Sequence, residues 1–205
     1  MVAAFTACGS GGGKSSAKIK MTTEAGGEFI FHLAGSGTAT VDWGDGSEKV
    51  TLTLLEDIYP AVQFRHTYPS ATIRTIIVNG DNITGLSCGY ITSLDVSRNT
   101  ELKYLDTGPV LLKSLDVSKN VALTVLQVGG DFTSLDLSKN TALTYLKVAG
   151  GLSVSTLNAL FGTLHNNTVS PAEGQQTAKI INIRTWYGED FDRSIAERKG
   201  WTFQN

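Results

Sequence analysis

The chain has 205 residues, 17 basic and 19 acidic side chains, 22 Gly and 4 Pro. That length suits one large or two small domains. The near-balanced charge, with no Lys/Arg-rich run, gives no support to a nucleic-acid partner, and no stretch reaches the roughly 18–20 apolar residues that span a bilayer.

At the start, Val2-Ala3-Ala4-Phe5-Thr6-Ala7 is apolar and ends in a small residue before Cys8. Gly9-Ser10-Gly11-Gly12-Gly13 follows as a flexible tether. This stretch resembles the end of a bacterial lipoprotein signal, which implies a lipidated Cys8, a lipid anchor as the contact with the membrane, and a signal-plus-tether segment over 1–16. Gly13-Lys14-Ser15 matches the end of a phosphate-cradling loop, but Cys8 stands where the first Gly is needed. Ala17-Lys18-Ile19-Lys20 then reads as strand, so no helix N-terminus would meet a phosphate, and a tether is the expected role. With Cys8 lipidated, Cys88 is left without a partner and is expected to be a buried, inert thiol.

Residues 17–72 carry short alternating runs, predicting strands at Lys18–Thr22, Glu28–Leu33, Ala39–Trp43, Lys49–Leu54 and Val62–His66, with a last one at Ile73–Val78. Gly, Asp and Ser punctuate them, which suggests a small β-sandwich. Val41-Asp42-Trp43-Gly44-Asp45-Gly46-Ser47 and the later His66-Thr67-Tyr68 resemble the PKD-type immunoglobulin-like domain. Asp42 to Ser47 is expected to be a tight turn, in which Asp45 bonds its own backbone. Trp43 would pack inward, and His66 and Tyr68 would tie the last strand down. Asp42 and Asp45 are weak candidates for a calcium site, since their spacing is not that of an EF-hand loop.

From Ile73 to Leu152 the sequence repeats. Ile91-Thr92-Ser93-Leu94-Asp95-Val96 returns as Leu112 to Val117 and as Phe132 to Leu137, each followed by Ser-Arg/Lys-Asn. A second phrase, Leu123 to Val128, returns as Leu143 to Val148, with Leu102 to Thr107 as a weaker copy. The anchors Ile76, Leu86, Leu94, Leu105, Leu115, Leu126, Leu135 and Leu146 recur at intervals of eight to eleven residues. Two half-repeats make one coil, and a period near twenty predicts a solenoid over 73–152, one strand per coil on each side. It is similar to the nested short leucine-rich repeats of bacterial surface proteins. Asn99, Asn120 and Asn140 fit that family's bend position, where the amide satisfies backbone groups.

Residues 153–205 read as an α/β cap for the open end of the stack. Ser155 is expected to cap a helix with Leu157, Leu160, Phe161 and Leu164 on one face. A polar loop over 168–178, a strand at Lys179–Ile183, a short helix capped by Asp192 and a closing strand at Trp201–Phe203 follow. The ending resembles that of repeat lipoproteins of Bacteroidetes. Anchor, PKD-like sandwich, repeats and cap together are similar to surface leucine-rich-repeat lipoproteins of that group.

The expected fold class is therefore mainly β: a PKD-like sandwich, a short leucine-rich-repeat β-solenoid and an α/β cap. Alternation points Tyr104, Val125 and Tyr145 outward in one column and Asp106, Gln127 and Lys147 in the next, a candidate ligand face. Simple cross-strand packing is the competing role for the tyrosines. On the opposite face Asp95, Asp116 and Asp136 form a ladder, open to a cation or basic ligand or else partnered by Lys113, Lys119, Lys139 and solvent. No catalytic constellation, cofactor motif or metal signature is legible. The expected function is non-catalytic recognition of a protein or glycan by an outer-membrane lipoprotein of the cell envelope, facing periplasm or surface. The alternatives are a structural spacer or assembly subunit, and a calcium-dependent adhesin.

Overall fold

The computed structural model describes residues 18–58, 61–108, 112–170, 178–185 and 190–204. Within them the chain is mainly β and built on one large mixed sheet. The expected tether, Cys8 and Gly13-Lys14-Ser15 lie outside the described residues.

The antiparallel part comprises β1 (Ile19–Thr23), β2 (Gly27–Asp42), β3 (Val50–Thr53), β4 (Val62–Tyr68) and β5 (Arg74–Cys88). The two strands expected over 28–33 and 39–43 are one, β2. The strand expected to end at Val78 likewise runs on through the half-repeat Ile83–Cys88 as β5. Close approach of the two backbones is the reason. A Cβ on Gly35 would lie 1.9 Å from the Asn82 carbonyl oxygen, so only Gly fits there. Register shifts at Ala34/Gly35 and Ser36/Ala39 bend the pair while the pairing continues from Phe31↔Cys88 to Asp42↔Ile77.

The remaining strands are β6 (Ile91–Asp95), β7 (Tyr104–Asp106), β8 (Val125–Gly129), β9 (Tyr145–Gly150), β10 (Ile180–Thr185) and β11 (Thr202–Gln204). The first half of β5 pairs with β1, which pairs with β6. The second half starts a parallel run through β7, β8, β9, β10 and β11. One buried cluster holds Phe29, Trp43, Leu86, Leu126, Phe161 and Trp201, so the core runs without a break across the expected boundary at 72/73.

Register makes the inward face a single apolar row: Val62, Leu33, Leu86, Leu105, Leu126, Leu146, Ile181 and Phe203 lie side by side. Leu33, Leu86, Leu105, Leu126 and Leu146 are 0 % exposed. Truncating any of them to Ala would cost about 2–5 kcal/mol.

The opposite wall departs from expectation. Ile91–Asp95 is a ladder strand, but 112–117 and 132–137 belong to no strand although their apolar residues are buried. The connection between coils passes instead through asparagine amides. Asn120 Nδ2 donates to the Val96 and Asn99 carbonyls at 3.0 and 2.7 Å. Asn140 Nδ2 donates to those of Val117 and Asn120, both at 2.9 Å.

In the C-terminal region α1 (Val154–Thr163) is capped by Ser153, not Ser155. Ser153 lies three residues before Thr156, whose N–H it accepts at 3.1 Å. The Lys199 ammonium donates to the Phe161, Gly162 and Leu164 carbonyls at the other end, a cation on orphan helix acceptors. The short α2 (Ser194–Glu197) has Arg193 at its N-cap, and Asp192 accepts the Ser194 N–H at 3.0 Å. Phe203 brings β11 against Phe161 and Phe191, with ring centroids 5.5 and 5.7 Å apart.

Two glycines test this packing. Gly150 has φ +119°, and a Cβ there would sit 2.4 Å from the Gly130 carbonyl oxygen. Gly150→Ala is expected to cost about 1–3 kcal/mol. Gly162, in α1 with open space around it, should stabilise by about 0.5–1 kcal/mol when changed to Ala. Urea midpoints at constant m-value measure both, and a neutral Gly150→Ala would contradict the stacked turns.

Candidate functional site

Two outward rows cross the sheet above the buried one. Strand alternation puts Tyr104, Leu105 and Asp106 on alternate faces, and only Leu105 is fully buried. The first row runs Ala34, Gly85, Tyr104, Val125, Tyr145, Ile180, Thr202. The second runs Gln63, His32, Ser87, Asp106, Gln127, Lys147, Asn182, Gln204. With strands about 4.8 Å apart, the second row spans roughly 34 Å along the twisted sheet.

The expected candidates Tyr104, Val125, Tyr145, Asp106, Gln127 and Lys147 are thus neighbours, all half-buried. The two columns are linked: Gln127 Nε2 donates to the Tyr104 hydroxyl oxygen at 2.8 Å. Asp106 accepts the Gly108 N–H at 2.8 Å, which fixes its carboxylate at the strand end. The tyrosines are therefore partly packed as well as outward-facing, and in-register stacking accounts for part of their placement.

Sequence reasoning missed the rest of the rows. Ser87 was within reach, because Ile83-Thr84-Gly85-Leu86-Ser87 aligns with Leu102-Lys103-Tyr104-Leu105-Asp106. His32 enters only through the pairing of β2 with β5, Gln63 through that of β4 with β2, and Asn182 and Gln204 only through β10 and β11, which no local pattern encodes. Ile58 was also missed. Its Cδ1 lies 2.8 Å from where a Gly85 Cβ would stand, so it roofs the first row and leaves Ala34 1 % exposed.

A concavity of about 440 Å³ is lined by Asn166, Asn167, Thr168, Arg198 and Thr202 with Lys179 and Lys199. Lys199 is committed to α1. Lys179 is 4 % exposed, and its ammonium donates to the Asn167 and Lys199 carbonyls over the Trp201 ring. Burial lowers its pKa. Both cations serve the fold there.

On the far wall Asp95, Asp116 and Asp136 are partnered chiefly by serines. Asp95 accepts the Ser97 hydroxyl at 2.6 Å and its N–H at 3.0 Å. Asp116 and Asp136 accept the Ser118 and Ser138 N–H groups at 2.9 and 2.8 Å. These bonds hold all three carboxyls below their ordinary pKa, with nearby Lys and Arg charges contributing less.

The polar knot of the antiparallel part centres on His66. Its Nε2 donates to Asp45 Oδ2 at 2.7 Å, and its ring stacks on Trp43 at 4.9 Å and meets Tyr68 edge-on at 4.6 Å. The Tyr68 hydroxyl donates to the Trp43 carbonyl at 2.8 Å, and burial pushes its pKa up to about 12. Arg74 lies 4.4 Å above the Tyr68 ring. Asp45 Oδ1 accepts the Ser47 hydroxyl at 2.6 Å, so Ser47 faces the carboxylate and not the imidazole that would activate it. Asp42 accepts the Gly44 N–H at 3.1 Å and pairs with Lys49 at 3.1 Å. The oxygens of both weak calcium candidates are occupied by turn and cross-strand partners. Among the described residues no three His, Cys, Asp or Glu converge as a metal-holding group. Cys88 is buried, which raises its thiol pKa.

Ser47 first and then His66 depress Asp45, and the Gly44 N–H depresses Asp42. A carboxyl depressed in the fold contributes stability present above its unfolded value of about 3.9 and lost as pH falls through the folded one. Stability should therefore fall below about pH 4. Asp45→Asn should lower stability at neutral pH and flatten that acid limb, as read by thermal unfolding from pH 2 to 7. An unchanged acid limb would detach Asp45 from the knot.

No described helix is long and apolar enough to cross a membrane. Comparison with known protein families, with curated proteins and with solved structures gives no match.

Proposed function

We propose that the chain is a non-catalytic cell-envelope lipoprotein that recognises a protein or glycan on the outward face of its parallel strands. In this reading the antiparallel part is a PKD-like, immunoglobulin-type sandwich, the stacked coils are a leucine-rich-repeat solenoid, and the C-terminal region caps them. The anchor is a lipidated Cys8. The observation that carries the reading is the half-buried cluster of Tyr104, Val125 and Tyr145 beside Asp106, Gln127 and Lys147. Tyrosines on a rigid ladder offer contact area at low entropic cost, and the adjacent row supplies polar groups of both signs for specificity. Repeat scaffolds present such faces because the core fixes the inward positions and leaves the outward ones open to variation.

A second reading, an assembly subunit, draws on the edges of the sheet. Among the described residues β3, β4, β6 and β11 each pair with one strand only, leaving backbone groups able to extend a sheet between copies.

The test is a capture experiment from envelope extract with wild type and Tyr104→Ala/Tyr145→Ala, whose melting temperature is checked first. A specific partner lost at least tenfold in the double variant is expected, the size of one or two contact residues at an interface centre. A partner retained at full strength would move recognition off this face. Recovery of the protein itself alone would favour assembly.

A further inference from the structure

The outward polar row does not stop where the repeats stop. It continues through Ser87 into His32 and Gln63 of the antiparallel part, and through Asn182 into Gln204 of the cap. We propose that this row is one array of subsites for a linear, uncharged polysaccharide lying across the strands. The proposal rests on the recognition reading above and names its ligand class.

The row's chemistry selects the ligand. His, Ser, Gln and Asn side chains both donate and accept hydrogen bonds, as each hydroxyl of a sugar does. Asp106 and Lys147 contribute one charge of each sign, so the row gives no net attraction to a polyanion or polycation. The backbone of the inner strands is used by the ladders on both sides, so a peptide on this face would gain no main-chain pairing.

The row's shape selects it further. Along one side run Tyr104 and Tyr145, flat aromatic surfaces for the apolar faces of sugar rings. Ile58, seated over Gly85, continues that side as a wall toward β2. Strands about 4.8 Å apart repeat at a spacing comparable to one pyranose unit in an extended chain, so the array would hold about seven or eight units, one per strand.

The experiment is calorimetric titration with neutral gluco- and manno-oligosaccharides of two to about eight units. Affinity should rise with length up to about seven or eight units. His32→Ala/Gln63→Ala at one end and Asn182→Ala/Gln204→Ala at the other should each weaken the longest chains about tenfold and leave the shortest unchanged. Gln127→Ala should weaken both. Gln63 and Gln204 are exposed, His32, Asn182 and Gln127 are half-buried, and melting temperatures would verify that each variant folds. A plateau at two or three units, or end variants equal to wild type on long chains, overturns the continuous array. No binding to any neutral chain, while an envelope protein is still captured in a Tyr104-dependent manner, overturns the glycan assignment and leaves the recognition reading standing. Loss of both removes both.

Discussion

β5 pairs with β2 along nearly its whole length, from Cys88 to Ile77, and that pairing organises the molecule. Its other edge is divided. The first half receives β1, and through it β6, while the second half receives β7 and the parallel run that follows. One strand therefore belongs both to the antiparallel part and to the parallel run. The parallel run thus begins on a strand whose other edge is already paired with β2.

The consequence is continuity on both faces of the sheet. Beneath, an unbroken apolar row from Val62 to Phe203 ties the antiparallel part, the parallel run and the C-terminal region into one core. Above, the same register carries polar side chains over the same distance. Because side chains alternate with period two, a one-residue slip of β5 against β7 would bring Ser87 inward and Leu86 outward. Burial of the leucines thus fixes the outward row as firmly as the inward one.

Polar groups that a coil must bury are handled by short-range devices. Asn120 and Asn140 bridge successive turns, the Asp–Ser turns absorb the carboxylates, and Lys199 answers the open end of α1. Around Trp43, the His66–Asp45 bond and the Tyr68 hydroxyl fasten the loop before β3 to β4. These groups are committed to the fold, whereas the proposed ligand face lies on the mixed-charge row with its tyrosines.

Much of this was legible in the chain itself. Leucine spacing identified the inward positions, because a repeated pattern can bury its apolar side only by stacking. The turn at Asp42–Ser47, the bend amides of Asn120 and Asn140, the outward assignment of Tyr104, Gln127 and Tyr145, and helical spacing at Leu157, Leu160 and Phe161 all follow from local rules of period and turn chemistry, whereas the amide nitrogen of Asn99 is buried without a hydrogen-bond partner. What tertiary structure decided was non-local. Fusion of two predicted strands into β2, and extension of the strand predicted at Ile73–Val78 into the longer β5, came with the close approach at Gly35, which depends on Asn82 far along the chain. At 112–117 and 132–137 no strand forms and Asn120 and Asn140 amides bridge successive segments, and the cap residue shifted from Ser155 to Ser153 because a serine's reach to a particular N–H is a matter of geometry. His32 and Asn182 joined the candidate site for the same reason. Sequence sets which way a side chain points along its own strand, but which strand lies alongside is set only when the whole sheet closes on its core.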